Sequence, residues 1–311
     1  MPTPDSQLQQ PFPTEFPPVE GADIQHRFVQ IGGLRVHVAE AGQGQPLLML
    51  HGWPQHWWMW RKQIPPFAEH FRVIVPDLRG FGWTEAPAGG YLKEELVEDL
   101  VKLIRTLGYT QVRLLTHDWG GWIGYIASVK YPGLIFQHYA TNIPLIWTKI
   151  DWRMIPATLR FGYMLRISMP FFGKRLLQKN NNFVAHLLTR GATRTGGWPQ
   201  EEIDVFANQF RDPKRAAASS KLYGQFLLKE YLPVGLFGRY KKHRMATPTR
   251  LLFGQKDFAL ATSWLRGYQK YVDDFQLEYI PDAGHFIVDE RPELVAQRAM
   301  KFFMNSNGSG Q

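Results

Sequence analysis

Three residues of this chain have the types and spacing for nucleophilic chemistry. They are Asp118 in Thr116-His117-Asp118-Trp119-Gly120-Gly121, Asp257 in Gly254-Gln255-Lys256-Asp257, and His285 in Gly284-His285-Phe286. Each stands just after a short apolar run, and the chain order is carboxylate, carboxylate, imidazole. A carboxylate presented on a sharp strand-to-helix turn attacks carbon directly and forms an ester, so it needs no base to activate it. The histidine acts later, on the water that splits the ester. Asp257 would hold the His285 tautomer and stabilise the imidazolium. Each residue also has a simpler reading: Asp118 as the cap of a helix starting near Gly120, Asp257 as a turn residue, His285 as a structural imidazole. Occurring together in this order, the three favour chemistry. Asn142 follows another apolar run but carries no charge, which leaves Asp257 as the orienting acid.

A second cluster, His51-Gly52-Trp53-Pro54, follows the run Pro46–Leu50. The backbone N–H groups of Trp53 and Trp119 are candidates for holding an oxyanion during ester hydrolysis. Their side chains, with His51 and Pro54 in the same turn, are expected to frame an apolar pocket.

These residues need a scaffold that brings strand ends together. Gln25–Ile31 and Leu34–Glu40 alternate in polarity about Gly32-Gly33 and predict a hairpin. Apolar runs at Pro46–Leu50, Phe71–Val75, Gln111–Leu115, Leu134–Tyr139, Thr249–Phe253 and Phe275–Ile280 predict buried strands. Helices are predicted at His56–Glu69, interrupted by Pro65-Pro66, and at Leu92–Leu107, where Leu96, Leu100, Leu103 and Ile104 share a face before Gly108. Others fall at Gly120–Lys130, near Thr262–Val272 and at Glu290–Phe303. The expected fold class is α/β, an open and mostly parallel twisted sheet with a helical cap inserted late in the strand order. Ligands of such sheets bind beyond the carboxyl ends of the strands, where the reactive residues stand. The expected organisation is a flexible arm over 1–20, a core over 21–144 and 246–304, a cap over 145–245, and a disordered tail over 305–311.

Composition bounds the function. The 311 residues are 44% hydrophobic and 20% charged, enough for a sizeable core. Zero cysteines exclude a disulfide scaffold, a thiolate nucleophile and a Cys-ligated metal. No apolar run is long enough to span a membrane, and the first twenty residues lack the pattern of a secretory signal, so a cytoplasmic protein is expected. Net charge is +9, and residues 145–245 hold 18 Lys and Arg against 6 Asp and Glu. The rest of the chain holds 18 against 21. No nucleic-acid motif accompanies that basic block, which leaves a solvated helical surface or a weak peripheral contact with anionic membrane.

Taken together, His51-Gly52-Trp53-Pro54-Gln55, Asp77-Leu78-Arg79-Gly80-Phe81-Gly82, the Asp118 turn and Asp282-Ala283-Gly284-His285-Phe286 resemble the α/β-hydrolases with an aspartate nucleophile, above all the soluble epoxide hydrolases. The likeness spans about residues 24–304. Thr116 departs from it, standing where the family usually has glycine. The resemblance implies that two cap tyrosines hold the epoxide oxygen and donate a proton, and Tyr163 and Tyr223 match them, with Tyr231 and Tyr240 as rivals. It implies an apolar epoxide as substrate, lipid-like or aryl, a monomer or homodimer, and neither metal nor organic cofactor. Haloalkane dehalogenases share the same frame, with Trp119 and a cap tryptophan (Trp147, Trp152 or Trp198) holding the halide. A non-catalytic binding protein on this fold is the remaining alternative.

Overall fold

The computed structural model describes residues 15–148, 162–178, 182–193 and 197–305. Most of the predicted arm, the predicted tail beyond Asn305, and Trp152 lie outside the described residues.

Eight strands form one sheet. Gln25–Ile31 (β1) and Leu34–Ala41 (β2) make the expected antiparallel hairpin. Pro46–Leu50 (β3), Arg72–Pro76 (β4), Val112–His117 (β5), Ile135–Thr141 (β6), Thr249–Gly254 (β7) and Phe275–Ile280 (β8) run parallel to one another. The order across the sheet is β1-β2-β4-β3-β5-β6-β7-β8, with β2 antiparallel to β4. The central strands are short, apolar and buried along nearly their whole length, as crossover helices on both faces require.

Ile64–Ala68 (α1), Lys93–Thr106 (α2) and Trp119–Lys130 (α3) are the crossovers. Pro65 and Pro66 do not interrupt a longer helix; they sit in the first turn of α1, where a missing N–H breaks no helical bond. The stretch before it is a 3-10 turn, Trp57–Trp60. Helix α2 buries Leu96, Leu100, Leu103 and Ile104 as the periodicity predicts, and the Glu95 side chain accepts from the Leu92 N–H at 2.9 Å. Helix α3 is buried from Trp119 to Val129, so it carries no polar face. It lies directly on the sheet: a Cβ on Gly120 would come within 2.4 Å of the Leu50 carbonyl oxygen.

Between β6 and β7 the described chain is helical: Gly162–Ser168 (α4), Pro170–Gln178 (α5), Asn182–Gly191 (α6), Gln200–Ala207 (α7) and Pro213–Gln225 (α8). Helix α8 runs on through a π turn, Phe226–Glu230, into Tyr231–Gly235 (α9). The helix expected at Thr262–Val272 does not form. Two 3-10 turns, Thr262–Trp264 and Gln269–Tyr271, replace it, and Gly267 between them has φ +73°, which a right-handed helix does not allow. Ile287–Glu290 (α10) and Pro292–Met304 (α11) close the chain. No described helix is long and apolar enough to cross a membrane.

Candidate active site

Asp118 occupies the step between β5 and α3 with φ 48° and ψ −124°. That backbone is costly for a residue with a side chain and persists only where its surroundings enforce it. Here they do, since the Asp118 N–H donates to the Thr141 carbonyl at 3.2 Å and its own carbonyl accepts from Gly121 at 2.8 Å. Its side chain makes no capping bond to α3, so the helix-cap reading of Asp118 fails. The carboxylate instead accepts the Trp53 N–H at 3.0 Å, and the Trp119 amide also acts on it. Gly52 makes room for this approach, because a Cβ there would lie 2.4 Å from the Asp118 Cβ. Thr116 fits two residues earlier, its hydroxyl 2.7 Å from His138 Nε2.

His285 follows β8, and its Nδ1 lies 2.8 Å from an Asp257 oxygen. Asp257 stands beyond β7 and is fixed by three further donors: the Ala259 and Leu260 N–H groups at 2.7 and 2.8 Å, and Asn142 Nδ2 at 2.8 Å. A carboxylate so held accepts a hydrogen bond from Nδ1–H and leaves Nε2 for chemistry. Asn142, set aside as an acid, therefore fixes the acid. The His285 N–H donates to the Gly191 carbonyl at the end of α6 at 2.8 Å. Glu290 extends that junction, accepting the N–H groups of Gly284 and Thr193 at 2.8 and 3.0 Å.

Burial pushes the Asp118 carboxyl above its ordinary value, while His285 and the two amides oppose the rise. Burial alone would lower His285, but Asp257 bonded to it, with Asp118 and Glu290 nearby, outweighs burial and raises it to about 9. His117, its ring centroid 5.0 Å from that of His285, is driven far down by burial and by His285 and stays neutral.

Asp118 and His285 border one cavity, whose other walls include Trp119, Tyr163, Phe226, Tyr231, Leu260 and Trp264. Tyr163 thus faces the cavity. Tyr223 is buried just behind, its ring centroid 5.4 to 5.9 Å from those of Trp53, Trp119 and Tyr163. Burial, with Asp118 nearby, drives both phenols well above their ordinary value. Tyr240 is committed elsewhere, donating to Glu94 at 2.9 Å.

Two expected pocket residues are not among those that line this cavity. His51 spends both ring nitrogens on backbone, Nε2 accepting from Leu78 at 2.9 Å and Nδ1 lying 3.0 Å from the Gly52 carbonyl, because the turn after β3 needs that brace. Pro54 follows a cis peptide, and its carbonyl accepts from Gln209 at 2.8 Å. Trp53 contributes its amide to Asp118, and its indole donates to Ser219 at 3.1 Å.

Sequence reasoning missed Lys93. Its fully buried ammonium lies 4.1 Å over the Trp119 ring and 3.3 Å from Glu230, while its N–H donates to the same carboxylate at 2.7 Å. Burial lowers its pKa, against Glu230 and Asp118. The one available signal was Glu230 itself, an isolated acid in a basic stretch.

An α/β-hydrolase-fold family profile matches residues 45–292. Human epoxide hydrolase 4 is 30% identical over 284 residues, covering 87% of this chain and 76% of that protein. The chain is a member of the epoxide hydrolases of the α/β-hydrolase fold. A soluble epoxide hydrolase of Corynebacterium sp. strain C12 is 27% identical over 301 residues, covering 90% of this chain and 98% of that one. The solved structure of the epoxide hydrolase CorEH, without ligand, superimposes with a TM-score of 0.82 at 27% identity, covering 91% of this chain and 99% of its own. The family is one of hydrolases, and the eight-stranded, mostly parallel sheet expected from the sequence is its fold.

Proposed function

We propose that the protein hydrolyses an apolar epoxide, aryl or lipid-like, to a vicinal diol through an ester on Asp118. One Asp118 oxygen attacks a ring carbon and the C–O bond to the epoxide oxygen breaks. Tyr163 and Tyr223 hold that oxygen, and a phenol proton passes to it. His285, oriented by Asp257, then takes a proton from water, and the hydroxide attacks the ester carbonyl. The oxyanion rests on the Trp53 and Trp119 amides. As it collapses, the ester oxygen leaves as the second hydroxyl of the diol with the proton of the added hydroxide, the imidazolium proton restores the phenol, and the carboxylate returns. Residues 145–245 act as a lid that carries the tyrosines, and 21–144 with 246–304 as the core that carries the triad.

The observation that carries this reading is the Asp118 carboxylate, held at 3.0 Å by the Trp53 amide on a cavity it shares with the Asp257-bound His285. The dehalogenase alternative has less support, since Trp147 donates its indole N–H to the Tyr240 carbonyl at 2.9 Å and Trp198 packs on Phe206 and Phe286.

The test is intact-mass spectrometry of His285→Gln mixed with styrene oxide. The expected result is a mass increase equal to the substrate, absent in Asp118→Ala. An unchanged mass, together with diol formation by Asp118→Ala, would overturn the two-step mechanism. Halide release from a bromoalkane by the unmodified enzyme, without diol from any epoxide, would move the assignment to dehalogenase.

A further inference from the structure

The helices that wall the cavity have a second face. Tyr163 and Met164 of α4, and Phe226, Tyr231 and Val234 of the α8–α9 segment, point to the cavity. On the outside of these helices, and on α5 beside them, large apolar side chains stand in solvent. At the α4–α5 corner Leu165 is 58% exposed, Met169 45%, Phe171 93% and Phe172 53%. Along the other segment Leu228, Leu232 and Leu236 recur every four residues at 80%, 46% and 55%. The two groups adjoin, because a Cβ on Gly224, one turn before Leu228, would lie 3.6 Å from the Ser168 carbonyl oxygen at the end of α4.

Large apolar side chains exposed side by side in this way mark an interaction site. Its charge names the partner. Residues 162–178 hold Arg166, Lys174 and Arg175 and no acid. Lys229 flanks Leu228 in solvent, whereas the neighbouring Glu230 is turned inward onto Lys93. Phenylalanine and leucine among cations that have no ion-pair partner among the described residues suit the boundary between anionic headgroups and acyl chains, where apolar burial and charge attraction act together.

We infer that the outer face of α4, α5 and the Phe226–Gly235 segment docks on an anionic phospholipid surface. The site described above then lies directly behind the docked helices, on the bilayer side of the molecule.

Co-sedimentation of the full chain with phosphatidylcholine vesicles, with and without phosphatidylserine, tests this independently of any catalytic reading. The protein is expected to sediment with the phosphatidylserine vesicles and to be released by added salt. Phe171→Ser/Leu228→Ser and, separately, Lys174→Glu/Arg175→Glu should each weaken partitioning at least about tenfold, with thermal melts like that of the parent. Absence of vesicle binding, equal binding to neutral vesicles, or binding that survives both double substitutions would overturn the inference. So would a parent dimer in sedimentation velocity that Phe171→Ser/Leu228→Ser dissociates, since a second copy of the chain would then own this face.

Discussion

If the Asp118 charge holds a proton on His285, removing that charge must release it. Asp118→Asn keeps an oxygen to accept the Trp53 N–H and abolishes the negative charge, as an ester would. At an effective dielectric constant of about 20, a unit charge 4 to 8 Å away contributes about 2 to 4 kcal/mol. At about 1.4 kcal/mol per pKa unit this is a fall of about 1.5 to 3 units. His285, raised to about 9 in the free protein, should therefore titrate between about 6 and 7.5 in the variant. The sign has a mechanistic meaning. With its pKa raised to about 9, His285 is charged near neutral pH, and in the proposed mechanism alkylation of Asp118 would remove one of the anions that, after Asp257, keep it charged. In that mechanism the base would be produced by the step that precedes its use. The assay is an NMR titration of the imidazole C–H resonances in the parent and in Asp118→Asn, with His285→Gln identifying the signal. A variant pKa within half a unit of the parent value would refute the coupling, as would a parent His285 that titrates near the ordinary imidazole value.

Tyr163→Phe and Tyr223→Phe should each lower kcat/KM by about a hundredfold if both phenols hold the epoxide oxygen, with melting temperatures little changed; a variant with parental kcat/KM would exclude its tyrosine. Lys93→Met leaves Glu230 buried without its cation and should destabilise the fold by about 3 to 5 kcal/mol in urea denaturation. The pair Lys93→Met/Glu230→Gln should recover most of that loss, and equal losses in the single and double variants would contradict the account. His26 and His56 are held neutral, chiefly by burial, at about 4 against an ordinary 6.5. The unfolded chain therefore binds more protons in that window, and stability should fall as pH drops from about 6.5 towards 4. A urea midpoint that stays flat over this interval would show that these imidazoles are not buried neutral.

What the sequence made legible, and what it did not, follows the range of the interactions. Strand β3 is Pro46–Leu50 by apolar run and by structure alike, because a doubly covered strand has little freedom in composition. Asp118, Asp257 and His285 could be placed at strand ends because sheet topology converts those positions into proximity. Local reading failed where the decision was made elsewhere. The 262–272 helix was excluded by the backbone sign at Gly267, which apolar periodicity does not register. His51 was read as a pocket residue when a bond from Leu78, 27 positions away, had already claimed its outer nitrogen. Lys93 opens an unremarkable charged helix, and only the distant Glu230 and Trp119 explain why its ammonium is buried.

The seam between His285 and α6 bears on how such proteins can be recombined. His285 takes its backbone position from the Gly191 carbonyl, and Glu290 ties Gly284 to Thr193 across the same gap. Residues 191–193 and 284–290 are therefore one fitted part divided between two distant stretches of chain. A chimera that exchanges only the helical segment for a relative's would mate a foreign edge to the native histidine loop and displace His285 without altering Asp118, Asp257 or His285 itself. The productive breakpoints carry both stretches from the same parent.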